Sequence, residues 1–194
     1  RRGADISAKY CKAFTSPYYY GIQLIGPLEF AIEPALTDGQ MHFLETLLSK
    51  GVNPNFELSD GGRPIHWAAA RCTGSAAPRV AARLRYYLAD INLPHESPLR
   101  SKEAALHIVG NGSNDYCLDT LAVLLVSGKA VNKIDVNSKG YDANLNAQDS
   151  NGLLPIDYAI RWSSCTSRNE SDRRASLIKR QMVAMLRKAG SPGP

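Results

Sequence analysis

Gly26-Pro27-Leu28-Glu29-Phe30-Ala31, Arg63-Pro64-Ile65-His66-Trp67-Ala68, Ala104-Ala105-Leu106-His107-Ile108-Val109 and Leu154-Pro155-Ile156-Asp157-Tyr158-Ala159 are versions of one phrase. A second phrase recurs as well. Leu47-Leu48-Ser49-Lys50-Gly51-Val52-Asn53-Pro54-Asn55, Leu124-Leu125-Val126-Ser127-Gly128-Lys129-Ala130-Val131-Asn132 and Met185-Leu186-Arg187-Lys188-Ala189-Gly190 each close a helix-like apolar run with glycine. Recurrence of this kind predicts a repeat architecture, in which each unit buries its apolar surface against its neighbours and there is no central ball. The intervals are uneven: 37 residues from Pro27 to Pro64, 41 from Pro64 to Ala105 and 50 from Ala105 to Pro155.

Both phrases resemble the ankyrin repeat, whose period is about 33 residues. The best-preserved copy runs from Asp149 through Gly152 to Pro155, Ile156 and Ala159, with Leu154 where the family prefers threonine. The resemblance covers nearly the whole chain, and the irregular repeats look like the divergent ankyrin proteins of bacteria. It implies an all-α solenoid of helix-turn-helix repeats with long β-hairpin-like finger loops. In the family the proline opens an inner helix, the next apolar residue faces the core, and the histidine bonds backbone of a neighbouring turn. His66 and His107 fill that histidine position, whereas Glu29 and Asp157 replace it in the outer copies. Gly26, Arg63, Ala104 and Leu154 stand where the family has its capping threonine. Loss of such a cap costs about 1 kcal/mol per helix, so a looser array is expected.

With 194 residues and 44% apolar content, the chain is long enough to bury a substantial core as one domain. Placed on the repeat, that domain (1–194) divides into a partial repeat at 1–6, repeats near 26–55, 62–93, 103–132 and 152–190, and long insertions at 7–25 and 129–153. Arg1-Arg2-Gly3-Ala4-Asp5-Ile6 reads as the tail of an earlier repeat, so a fragment of a longer or processed chain is inferred. No run of 18 or more apolar residues exists, which argues against a membrane span. The net charge of +5 suits an acidic partner. Much of that excess falls late, in Arg161, Arg168, Arg173, Arg174, Lys179, Arg180, Arg187 and Lys188, and reads as a solvated outer helix face. Neither aromatic interleaving nor a nucleic-acid motif accompanies it, so nucleic acid is not the expected partner.

The coarse secondary structure follows from periodicity and breakers. An inner helix is expected from Pro27 to Ala35, and an outer helix capped by Thr37 or Asp38 ends at Gly51 with Met41, Leu44, Leu47 and Leu48 in the core. The second pair spans Pro64–Arg71 and Pro78–Ala89, with no glycine at its end. The third begins at Glu103–Val109, and the Asn111–Asp115 cluster then caps a helix carrying Leu118, Leu121, Leu124 and Leu125. The 26 residues between Gly128 and Pro155 contain Val131, Ile134, Val136 and Tyr141, and an extended hairpin turning near Ser138-Lys139-Gly140 is expected there. The last pair covers Pro155–Trp162 and Asp172–Lys188.

His66 and His107 are the tempting catalytic groups, but the resemblance gives both a structural role. The chain has no zinc spacing of Cys and His, no phosphate-cradling glycine loop and no Gly-x-Ser-x-Gly elbow. Asp149-Ser150-Asn151-Gly152 opens like a calcium loop without the glutamate that would close it. No enzyme activity, catalytic residue, metal or cofactor is therefore expected. Placed on the repeat, Cys72, Cys117 and Cys165 share one end of the solenoid and Cys11 lies at the other. Disulfides Cys72–Cys117 or Cys117–Cys165 are thus geometrically possible, while reduced thiols in a cytoplasmic protein are the preferred expectation, with a periplasmic or secreted location as the alternative.

Ankyrin arrays bind protein partners through finger tips and late inner-helix residues. The matching late positions are Glu33, Ala70, Arg71, Asn111, Arg161 and Trp162. Arg71 and Trp162 are the preferred contacts, because arginine and tryptophan are enriched at interface hot spots. Phe30, Trp67, Ile108 and Tyr158 share a position expected to pack between helices. In the first insertion Tyr18 and Tyr20 lie on one side of an extended segment and Tyr19 on the other. Lys139 and Tyr141 mark the second finger. The resulting expectation is a non-catalytic module that binds another protein and is monomeric in isolation. Alternatives are an immunity or inhibitor protein that occludes a toxin or enzyme, and the ankyrin portion of a larger effector or enzyme.

Overall fold

Proline suits the first position of a helix, since its φ is already helical and the N–H it lacks would go unpaired there. It opens three inner helices: α1 (Pro27–Thr37), α3 (Pro64–Ala70) and α7 (Pro155–Ile160). Ala105 opens the remaining one, α5 (Ala105–Asn111). The outer helices are α2 (Met41–Ser49), α4 (Ala76–Tyr86), α6 (Asp115–Leu125) and α8 (Glu170–Lys188). An antiparallel hairpin of β1 (Tyr10–Ser16) and β2 (Tyr19–Ile25) precedes them, with Tyr10 opposite Ile25 and Ser16 opposite Tyr19. The computed structural model describes residues 10–16, 19–37, 39–97, 101–126, 142–161, 163 and 169–192, the first two strands as backbone only. The hairpin expected near Ser138-Lys139-Gly140 lies outside the described residues, and 142–154 contains no strand.

Apart from that hairpin the body is all-α. Each inner helix packs on the outer helix that follows it, inner helices neighbour one another in chain order, and so do outer ones. Alanines 31, 35, 68, 69, 105 and 159 are buried on the inner helices, where small side chains let backbones approach. The outer helices contribute Leu44, Leu48, Val80, Leu84, Leu121, Leu124, Met182 and Leu186 to the same continuous core. Met41, expected there, is only partly buried. Phe30 also departs from expectation: it is 46% exposed and meets Phe43 edge to face, while Ile108 and Tyr158 are buried and Trp67 is partly so. Phe30 belongs to the first pair, which has no preceding helix pair among the described residues to cover it.

No side chain replaces the missing threonine caps at α3, α5 and α7, but the other half of the helix start is satisfied from the third helical position. At α3, α5 and α7 the backbone N–H just before the helix donates to a side chain three residues on: Arg63 to His66 Nδ1 (3.0 Å), Ala104 to His107 Nδ1 (3.1 Å) and Leu154 to Asp157 Oδ2 (2.8 Å). This is the returning half of a capping box. Thr37 does not cap α2 either. It ends α1, its hydroxyl donates to Glu33 O, and Gln40 precedes α2 without a side-chain bond. Asp38 lies outside the described residues. Asn114 and Asn169 do cap α6 and α8, accepting from Cys117 N and Ser171 N.

Three outer helices end alike, with a residue in the left-handed region and the next N–H reaching back five residues. Gly51 (φ +86°) and Gly190 (φ +104°) fill that position in the first and last pairs. In the second pair Leu88 fills it at φ +68°, and Ala89 N bonds Leu84 O as Val52 N bonds Leu47 O. The helix expected to reach Ala89 therefore stops at Tyr86, because the chain makes the same turn without a glycine.

The fingers are joined by asparagine. Asn55 donates from Nδ2 to Leu88 O (3.2 Å) and accepts from Asp90 N at Oδ1 (2.7 Å). Asn92 repeats this on the next connection, donating to Asp142 O and accepting from Asn144 N, both at 2.8 Å. Within each connection the acid or amide two residues earlier takes the next N–H: Asn53 from Asn55, Asp90 from Asn92 and Asn144 from Asn146. The result is a ladder of alternating side-chain and backbone bonds across the three connections that follow α2, α4 and α6.

Cys72 and Cys117, both buried, form a disulfide between the turn after α3 and the start of α6. The expected reduced thiols are thus corrected, and Cys117 is not available to Cys165, which lies outside the described residues. Gly112 packs directly on both sulfurs, so a Cβ there would collide with each. Closing a separation of 45 residues restricts the unfolded chain by about 4 kcal/mol in the chain-entropy model. Replacing both cysteines by serine should lower stability by about 2–4 kcal/mol, measured as a urea midpoint with and without reductant. Wild type that melts identically in reductant, with its thiols shown to be free, would refute the contribution. Leu88→Gly should act oppositely and stabilise by about 0.5–1 kcal/mol, because it relieves the left-handed backbone. A lower midpoint would show that the half-buried leucine side chain contributes more than its backbone costs.

Candidate partner-binding face

A histidine three residues into a helix can accept from the backbone at one nitrogen and donate from the other, and both core histidines are used this way. His66 accepts at Nδ1, so its proton sits on Nε2 and is donated to Leu93 O at 2.8 Å. His107 does the same, with Nε2 lying 3.1 Å from both Ala147 O and Leu153 O. Each ring is buried, and neither has a nitrogen left for proton transfer to a ligand. Burial lowers His66 to about 4, with the charges of His95 and Arg63 adding to the effect and the Leu93 carbonyl opposing it. Glu29, at the equivalent place in α1, offers only acceptors and so binds donors, the Ser59 N–H and hydroxyl.

Beside His66 the loop after Leu58 brings Asp60 over the inner helix. Asp60 accepts from Gly62 N at Oδ1 and from Trp67 Nε1 at Oδ2, each at 2.8 Å. Burial alone would raise its carboxyl, but these donors and His95 outweigh it and hold the group well below the carboxylate range. His95 stacks on His66 with 5.4 Å between ring centres, and its Nε2 stands 3.8 Å from Asp60 Oδ2. Trp67, Arg71, Ile108 and these groups line a cleft of about 200 Å³.

Arg71 lies at the end of α3. Its guanidinium is 5.3 Å from the Trp67 ring centre and 3.7 Å from Glu33 Oε1 on α1. Arg161, at the end of α7, is exposed and lies 5.9 Å from the Tyr158 ring centre. Ala70 and Asn111 are exposed as well. The structure thus brings Glu33 and Arg71 together and gives Arg161 a separate aromatic platform. Tyr20 is in β2, paired with Thr15. Tyr18, Lys139, Tyr141 and Trp162 lie outside the described residues.

Several polar groups escape sequence reading because their partners are distant in the chain. Tyr158 donates its single hydroxyl proton between two carboxylates, Asp149 Oδ2 at 2.7 Å and Glu103 Oε1 at 2.9 Å. Burial raises its phenol, and the two acids reinforce the shift. Asp149 is held low by this and three further bonds, against its own burial. Buried Arg85 donates to Val123 O and Val126 O at the end of α6. Buried Lys179 donates to Gly110 O and reaches Tyr158 O at 3.5 Å, so one ammonium serves the ends of α5 and α7. Burial lowers Lys179 to about 8. Among the described residues no group of three or more His, Cys, Asp or Glu side chains is placed to hold a metal, and no helix is long and apolar enough to cross a membrane.

No known protein family matches this chain, and no curated protein does.

His66 gives the array an acid-sensitive joint. Its unfolded pKa is about 6.5 and its folded value about 4, so as pH falls through this interval the unfolded chain takes up a proton that the folded one refuses. Stability should therefore drop by up to about 3 kcal/mol between those limits, before the depressed aspartates contribute at lower pH. Urea midpoints of wild type and His66→Gln at pH 4.5, 5.5 and 6.5 are the check. The variant should be the flatter, and parallel slopes would assign the loss elsewhere.

Proposed function

We propose that the chain is an ankyrin-type repeat array and a non-catalytic module that binds a partner protein through its fingers and inner-helix face. The fold supports the first part through the serial stacking of helix pairs, the proline-led inner helices and the histidine bonds to the following connection. The observation that carries the second is the run of exposed or half-exposed residues at successive inner-helix ends, Ala70 and Arg71, then Asn111, then Arg161. Ala70 and Arg71 border a cleft, while the histidines beneath are fully engaged in holding backbone. Arginine stacked on an aromatic ring is a common element of protein interfaces, because its planar cation combines apolar contact with directional bonding. The two such stacks at inner-helix ends sit on the second and fourth pairs.

The test is a partner captured from the native cell and then titrated in purified form. Arg71→Glu with Arg161→Glu should weaken binding at least tenfold while circular dichroism and melting stay unchanged. Arg187→Glu with Lys188→Glu, at the exposed end of α8, is the control on the opposite surface and should leave affinity intact. The reverse pattern would move the interface to the basic outer helix.

A further inference from the structure

We infer that the outer edge of β2 is a self-association surface, on which a second copy of this chain lays its own β2 antiparallel about Ile22. The inference goes beyond the partner-binding reading and does not rest on it.

The hairpin is a sheet of two strands, and among the described residues the far edge of each strand is paired with nothing. Two strands by themselves are marginal in water and become stable when further strands extend them or another surface covers them. An open edge is a row of backbone donors and acceptors ready for such a strand. The two edges of this hairpin are not alike. β1 carries Lys12 at its third residue, a charge of the kind that blunts an edge. From Tyr19 to Ile25, β2 has neither a charge nor a proline. β2 is therefore the edge left open.

Symmetry selects the occupant. Antiparallel pairing of β2 with its own copy about Ile22 sets Tyr19 against Ile25, Tyr20 against Leu24 and Gly21 against Gln23, with Ile22 against itself. Facing residues of an antiparallel pair share one face of the sheet, so Tyr20, Ile22 and Leu24 of both copies fall on a single face. The hairpin register places Thr15, Ala13 and Cys11 opposite those three, on the same face. One uncharged face then runs unbroken through the junction, and no like charges meet on the axis. A slip of one residue would set Ile22 against Gln23 and Leu24 against Gly21, mixing the two faces. Lys12 supplies closure. In the joined sheet, ordered β1, β2, β2, β1, both outer edges are β1 and carry that lysine, so assembly stops at a two-fold dimer in place of the monomer expected from the sequence. An unrelated extended segment would find backbone partners at the same edge, but β2 offers no charge to select it, whereas its own copy matches residue for residue.

The test follows the full chain by sedimentation velocity from low to high micromolar concentration. The expected result is a monomer–dimer equilibrium. Its dissociation constant should rise at least tenfold in Ile22→Lys and in Ile22→Glu, each of which sets like charges against each other on the axis, and stay near wild type in Ile22→Val. Mixing Ile22→Lys with Ile22→Glu should restore the dimer, which shows both that the hairpin persists in the variants and that position 22 faces itself. Phe43→Ser, at the exposed aromatic contact of the first helix pair, should leave the dimer intact. A chain monomeric at every concentration, a dimer indifferent to Ile22→Lys, or a mixture that does not associate would each overturn the inference. A dimer lost in Phe43→Ser would overturn it as well and move the contact to the helices. None of these outcomes bears on the charge-reversal test of the inner-helix face, which is read in the partner titration.

Discussion

The asparagine ladder between connections is the constraint on which the rest of the array depends. Hydrophobic burial holds neighbouring helix pairs together but is non-directional, and it would tolerate sliding of one pair against the next. Asn55 and Asn92 remove that freedom, because each amide must meet a carbonyl and an N–H two residues apart on the following connection. Buried or half-buried backbone between helices also needs partners, and the ladder supplies them where no sheet or helix does. Each bond contributes only about 1 kcal/mol net, so its weight lies in alignment. The inner-helix ends follow each other in a row because the connections beneath them are locked in step.

His66 and His107 do the same work one layer inward. Each joins the start of its own helix to the connection after it, the neutral ring with a fixed tautomer offering one acceptor and one donor on separate edges. Where the following connection offers donors, the position carries Glu29, and in the last pair Asp157 takes the N–H of Leu154. The substitutions that look like decay of a phrase are thus fitted to what each residue faces.

This explains what could be read in advance. The first residues of the inner helices, Pro27, Pro64, Ala105 and Pro155, and the core positions of the outer ones follow from local pattern. Helix ends are harder. Leu88 makes a glycine-type turn without glycine, and beside the absent threonine caps the residue before each of three inner helices finds an acceptor three positions later. Cys72 was legible as one possible partner of Cys117, but the choice between candidates depended on how α6 lies against the turn after α3. Asp60, His95, Glu103 and Lys179 gain their meaning from contacts tens of residues away, which periodicity does not contain. Arg71 and Arg161 were readable as exposed inner-helix ends, whereas the aromatic rings beneath them were assigned wholly to the core.

Lys179 has a consequence for how the last helix behaves in time. Its amine is closed off from solvent against α5 and α7, and because burial alone lowers its pKa, uncovering it restores both the ordinary lysine value and access to reagents. Its reactivity toward an acylating reagent is then gated by the opening of α8 alone. The rate of its labelling measures that opening, a local clock within a molecule whose exposed Lys50, Lys102 and Lys188 react regardless of whether the helix is docked.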